Sequence, residues 1–243
     1  MRFLLYNIRY GTGAGAGYHL PFPFIGFFKK TETVLGQLVS FIRSVDPDII
    51  GLVEVDSGSY RSRNNCQVAA IARELGHYHV VQTKYGTESI ANRVPVLNKQ
   101  GNGILSRESI VSHHFHYFEE GVKRLVIEVE LEKVVLFIVH LSLKFKHRQQ
   151  QLEHLHRIVS ERNKPIIVGG DFNTFGGQRE IKLFLAAANL VDANKAGLPS
   201  YPSHAPKKQL DFIFHSPELR VTHFSIPEVR LSDHAPLICD FIL

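Results

Sequence analysis

The strongest constraint on the fold is a set of short apolar runs that leave no side for water. FLLYNI (3–8), DIIGLVEV (48–55), VVLFIVHL (134–141) and PIIVGGDF (165–172) are strand-length and lack the polar alternation of a half-exposed strand. Such runs need cover on both faces, which points to sheets enclosed between other layers. Helical periodicity falls between them. In residues 31–45, Val34, Leu35, Leu38, Phe41, Ile42 and Val45 share one face, with Thr31 as the expected cap and Asp46-Pro47 as the stop. Residues 62–75, ending at Gly76, and residues 147–162 read in the same way, and a further helix is expected over 178–188. More strands are expected at 77–83, 101–107, 124–131, 210–215, 220–225 and 235–242, with a hairpin turn at Glu132-Lys133 and a loop over 84–100. No linker or low-complexity tract divides the chain, so one domain of mixed sheets with helices outside them is expected.

Composition narrows the class. A chain of 243 residues with 44% hydrophobic and 21% charged content can bury a core without staples. Cys66 and Cys239 form neither a CxxC pair nor zinc spacing, which argues against a disulfide framework and for a reducing compartment. MRFLLYNIRYG lacks the long apolar stretch of a signal peptide, and no apolar run reaches the roughly 18 residues that span a bilayer. The expectation is a cytoplasmic monomer. A net charge of +5 favours an anionic partner: nucleic acid, a phosphate ester or acidic lipid.

The chemistry gathers at strand ends. Asn7 closes the first apolar run, Glu54 sits late in the second and His140 late in VVLFIVHL. Asp171 and Asn173 close IIVGGDFN, Asp211 sits in LDFIF, and Asp233-His234 precede APLICDF. Taken singly, an Asp or Asn after a strand is usually a turn or cap, and a His in a strand is usually a hydrogen-bonded core residue. Taken together, buried ionisable groups need one another or a metal. Carboxylates and amides without a thiolate form a hard set suited to Mg²⁺ or Mn²⁺.

The order NIR (7–9), Glu54, GNGILSR (101–107), HLS (140–142), GDFN (170–173), LDFI (210–213) and SDHAP (232–236) resembles the endonuclease/exonuclease/phosphatase superfamily across nearly the whole chain. The resemblance implies a four-layer α/β sandwich, two mixed sheets face to face with helices outside, and metal-dependent hydrolysis of phosphodiesters or phosphomonoesters. By position, Glu54 resembles the principal metal ligand, with Asn7 beside the metal or phosphate and Asp233 as an added ligand. Asp171 resembles the residue that activates water, Asn173 a donor to water or phosphoryl oxygen, His234 the phosphate-contacting histidine and Asp211 its carboxylate partner. His140 matches the second histidine of the deoxyribonuclease and sphingomyelinase branches. Which histidine is the general acid stays open, as does a non-catalytic phospholigand-binding role on the same fold.

The substrate also stays open between nucleic acid and a lipid or small phosphate ester. Arg9, Lys146 and Arg148 are candidates for binding substrate phosphate, with Lys144, His147 and Lys207-Lys208 as further basic positions. GYHLPFPFIGFFKK (17–30) sets Phe22, Phe24, Phe27 and Phe28 ahead of Lys29-Lys30. It reads as core packing, as a substrate lid, or as a peripheral membrane contact through residues 20–30.

Overall fold

The doubly apolar runs become the inner strands of two six-stranded sheets. The computed structural model describes residues 1–14, 31–85, 94–121 and 123–243, so the aromatic stretch 17–30 lies outside the described residues. The first sheet runs, in spatial order, β11 (Arg220–Ser225), β12 (Leu237–Ile242), β1 (Arg2–Asn7), β2 (Ile49–Asp56), β4 (Gln100–Ser106) and β3 (Tyr78–Thr83). The second runs β5 (Ser112–Tyr117), β6 (Leu125–Glu130), β7 (Val135–His140), β8 (Ile166–Asp171), β10 (Asp211–His215) and β9 (Val191–Asp192). Each centres on a parallel pair, β1/β2 and β7/β8, flanked by antiparallel strands. The second order repeats the first with every strand moved six places along the chain. The ends of β1 and β7 therefore occupy equivalent positions in the two sheets.

Helices close the outer faces. α1 (Glu32–Val45) and α2 (Gln67–Leu75) cover the first sheet, and α3 (Phe145–Ser160) and α4 (Lys182–Ala187) cover the second. Side chains of β1 show why its run is continuously apolar. Phe3 and Leu5 enter the core between the sheets with Ile127 and Ile138, while Leu4 and Tyr6 pack outward against Leu38 and Ile42 of α1. Successive residues of a strand face opposite sides, so both parities are buried here. The expected four-layer α/β sandwich is what the chain forms.

Departures from expectation are local. β5 had no expected counterpart because SHHFHY replaces apolar alternation with histidines on an edge strand. The helix expected from residue 62 starts at Gln67, after a 3₁₀ turn at Tyr60–Ser62 and left-handed backbone at Arg63 and Asn64. Thr31 precedes α1 without capping it; its hydroxyl donates to Arg61 O at 3.3 Å. No helix among the described residues is long and apolar enough to cross a membrane.

The sheets meet closely. A Cβ on Gly51 of β2 would stand 2.5 Å from Ile138 Cδ1 and 3.2 Å from Phe3 Cζ. A methyl group there makes the Ile138 side chain turn away within a packed core, so Gly51→Ala is expected to destabilise the fold by about 1 kcal/mol, read as a lower urea midpoint with an unchanged slope.

Candidate active site at the strand ends

Register brings the polar strand ends together. In the second sheet His140, Asp171 and Asp211 are direct partners across β7, β8 and β10. In the first, Asn7 pairs with Val53, the neighbour of Glu54. Asn7 Nδ2 donates to Asp171 Oδ2 at 3.2 Å across the two sheets, and both residues are buried. Asp171 Oδ1 accepts the Asn173 backbone N–H at 3.0 Å. His140 Nε2 lies 3.2 Å and His234 Nε2 3.9 Å from Asp171 Oδ2. His234 Nδ1 is 2.7 Å from Asp211 Oδ2, which also accepts the Ser200 hydroxyl at 2.6 Å. Asn173 Nδ2 donates one of its two N–H groups to Leu141 O at 3.0 Å, which ties this side chain to the loop after β7.

Glu54 is presented by a backbone irregularity. The β2/β4 register slips between Leu52 and Val55, and Glu54 adopts φ +55°, a left-handed conformation that costs a non-glycine residue of order 1–3 kcal/mol. The slip strips the Glu54 N–H of its ladder partner, and Asn102 Oδ1 accepts it at 3.2 Å. This accounts for the Asn of GNGILSR. Backbone strain of this kind collects at functional sites, and here it falls on an acidic residue with its own side-chain brace.

Charge balance follows from burial and neighbours. Burial would raise the Glu54 pKa, yet Lys84, His140 and Lys123 hold it below the usual carboxylate range. Asp171 is likewise penalised by burial but held well below that range by surrounding positive groups. Burial lowers His140, and the adjoining Lys123 ammonium lowers it further, to about 4. Burial opposes charge on His234 as well, but Asp211 and Asp171 overcome it and lift its pKa to about 10. At neutral pH His140 is therefore a neutral ring, and His234 and Lys123 supply the charge that compensates Asp171. The grouped Asp171, Asp211 and His234 could geometrically hold a cation. A doubly protonated His234 ring, clamped by Asp211, has no lone pair to offer a cation.

Three expected site residues stand elsewhere. Arg148 is 3% exposed, and its guanidinium is used on Glu180, Ser142 O and Leu143 O rather than on a phosphate. Lys146 lies on the exposed first turn of α3, and no hydrogen bond or ion pair ties it to the cluster among the described residues. Asp233 faces Arg9, Nη1 to Oδ2 3.5 Å, so its charge is already matched, and Arg9 is held at the rim by that pairing. Sequence reasoning missed Lys84, Lys123 and Tyr10. Lys123 Nζ lies 4.0 Å from Glu54 Oε1, and the Lys84 ammonium hydrogen-bonds the Tyr10 hydroxyl beneath Glu54. Lys84 and Lys123 sit in loop sequence with no strand-end signal.

The profile of the Endonuclease/Exonuclease/phosphatase family matches residues 5–234. The chain belongs to that family. This endonuclease/exonuclease/phosphatase member is 26% identical over 234 residues to the uncharacterized protein YbhP of Escherichia coli K12, covering 86% of this chain and 89% of YbhP. Its fold is similar to a mannosyl-6-phosphatase from Bacteroides thetaiotaomicron, TM-score 0.76 at 16% identity, with both chains fully covered. It is similar too to the human Nocturnin catalytic domain, TM-score 0.72 at 20% identity, covering all of this chain and 94% of that one. At these identities the solved structures establish the fold of this family member and no more.

The two histidines give a direct test. Side-chain ¹⁵N spectra at pH 7.5 should show His234 doubly protonated and His140 neutral, with His140 titrating near 4 and His234 near 10. The signs differ: the depressed His140 costs the folded state stability as pH falls from 6.5 through about 4, whereas stability from the raised His234 is lost as pH rises through about 10. Equal titration of both rings near 6.5 would contradict the geometry.

Proposed function

We propose that this chain hydrolyses phosphate esters, diester or monoester, with a divalent cation seated at Glu54. The observation that carries the reading is the ionised Asp171 carboxylate, buried between two sheets and ringed by Asn7, the Asn173 N–H, His140 and the His234 imidazolium. In-line displacement at phosphorus needs a positioned nucleophile and charge neutralised on the equatorial oxygens. Asp171 orients the attacking water by accepting from it. Because its pKa is depressed, it is a weak base and works mainly by positioning. His234, charged and aimed at Asp171, and Lys123 beside it bring positive charge to the phosphoryl group. His140, neutral, fixes the second edge of the pocket.

The residues present suit Mg²⁺ or Mn²⁺. Glu54 offers a half-buried carboxylate on a strained backbone and Asn7 an amide oxygen that also accepts the Arg9 N–H, both hard donors. Among the described residues His140 Nδ1, 3.8 Å from Glu54 Oε1, is buried without a hydrogen-bond partner, which leaves unfilled polar capacity beside that carboxylate. A cation held there would add positive charge to the phosphoryl oxygens. Lys84 supports the same carboxylate from below; burial brings its pKa down to about 8 although Glu54 opposes this.

A substrate panel tests the reading: bis-p-nitrophenyl phosphate, p-nitrophenyl phosphate, plasmid DNA, RNA and a phospholipid, each with Mg²⁺ or EDTA. Turnover of at least one substrate is expected with Mg²⁺, with EDTA abolishing it and Glu54→Gln lowering it at least about a hundredfold at unchanged thermal midpoint. Turnover indifferent to both EDTA and Glu54→Gln would sink the metal assignment.

A further inference from the structure

The loops that leave the site end of the second sheet are unusual surfaces. Leu143 and Phe145, just after β7, are 63% and 60% exposed, and Phe175, just after β8, is 43% exposed. Their parent strands end in His140 and Asp171, so the three apolar side chains flank the catalytic end of the fold. They are not casual excursions of soft loops. The Arg148 guanidinium donates to Leu143 O at 2.6 Å and through Nε to Glu180 Oε2 at 2.9 Å, while Glu180 Oε1 accepts the Gly176 N–H at 2.5 Å. One buried ion pair thus holds both tips. A third loop joins them: Lys208 Nζ lies 5.2 Å from the Phe175 ring centre and 3.4 Å from its carbonyl oxygen.

Charge on these three loops is positive, although the exposed Glu119 and Glu120 stand beside the first of them, where Glu120 O accepts Gln151 Nε2 at 2.8 Å. Over 143–150, 174–190 and 194–209 every exposed Lys or Arg stands without an exposed Asp or Glu; Glu180, the lone acidic residue of the first two stretches, is buried on Arg148, and the third contains none. Lys144 and Lys146 alternate with Leu143 and Phe145, and Lys207 precedes the Lys208 that covers Phe175. Apolar tips interleaved with lysines match the boundary of an anionic bilayer, where rings and aliphatic groups enter the acyl edge and ammonium groups meet the headgroups. A nucleic acid is a poorer match. Phe145 and Phe175 could stack on bases, but Leu143 could not, and the Phe175 ring already carries the Lys208 ammonium on its face.

We propose that this face docks the protein onto an anionic lipid surface, turning the catalytic cleft toward the headgroups. Arg148, expected from the sequence to bind phosphate, becomes the brace that keeps the docking tips in place.

Vesicle co-sedimentation of the full chain tests this, comparing phosphatidylcholine vesicles with and without phosphatidylglycerol. The chain is expected to pellet with the phosphatidylglycerol vesicles. Phe145→Ser/Phe175→Ser and Lys207→Gln/Lys208→Gln should each weaken that partition about tenfold or more, since a lysine near a charged surface is worth roughly a factor of five. The phenylalanine pair is exposed, so that variant should keep its thermal midpoint and its turnover of soluble bis-p-nitrophenyl phosphate. Asp171→Asn should still pellet, which separates docking from catalysis. Absence of the wild-type chain from the pellet would overturn the proposal. So would unchanged partition of both double variants, or loss confined to binding of a single-stranded oligonucleotide.

Discussion

The working end of the molecule depends on keeping the Asp171 carboxylate ionised in a dry place. A bare carboxylate between two sheets would take up a proton, because burial penalises its charge. Here the neighbours reverse that outcome: His140 first, then His234 and Lys123, while the Asn7 amide and the Asn173 N–H donate to the same carboxylate. Removing one partner leaves the others facing an imbalance, so the groups stand or fall together. The Asn7–Asp171 hydrogen bond joins residues 164 apart in sequence and is also a tie between the two sheets.

The same electrostatics separates the two histidines. Both are buried, and burial alone would neutralise both. Asp211 and Asp171 outweigh burial at His234, which stays charged; His140 also faces two carboxylates, Asp171 and Glu54, but burial and the Lys123 ammonium at its edge outweigh them. One neutral and one charged imidazole around a single carboxylate gives the pocket a donor-acceptor ring and a fixed cation at the same pH. Glu54 completes the arrangement from the other sheet, where a bulge costs the backbone some strain and aims the carboxylate into the cleft.

Much of this could be read from the sequence because it is written in strand periodicity. Runs apolar at both parities require two covering layers, and a polar residue closing such a run has few places to go except a shared pocket. Thus Asn7, Glu54, His140, Asp171, Asp211 and His234 were legible as a set. What periodicity does not carry is partner choice across the fold. KFKHR reads as a basic patch, yet Arg148 turns inward to Glu180, 32 residues on, because α3 places it against the β8–α4 turn. Lys84 and Lys123 lie in irregular sequence, where nothing local distinguishes a solvated lysine from one beside Glu54. β5 escaped because histidines on an edge strand carry no apolar signal. The role of Asn102 needed the register slip opposite it, a property of two strands and not of one.

The account stands on Asp171 as the residue that positions the nucleophile. Its most direct test is the turnover of bis-p-nitrophenyl phosphate with Mg²⁺ at pH 7.5 by the isosteric Asp171→Asn variant, alongside its thermal midpoint. The account predicts a loss of about a thousandfold or more in kcat with the fold retained, since an amide cannot accept from the attacking water in the same way or balance His234. A folded Asp171→Asn protein turning over within about tenfold of the wild type would contradict it.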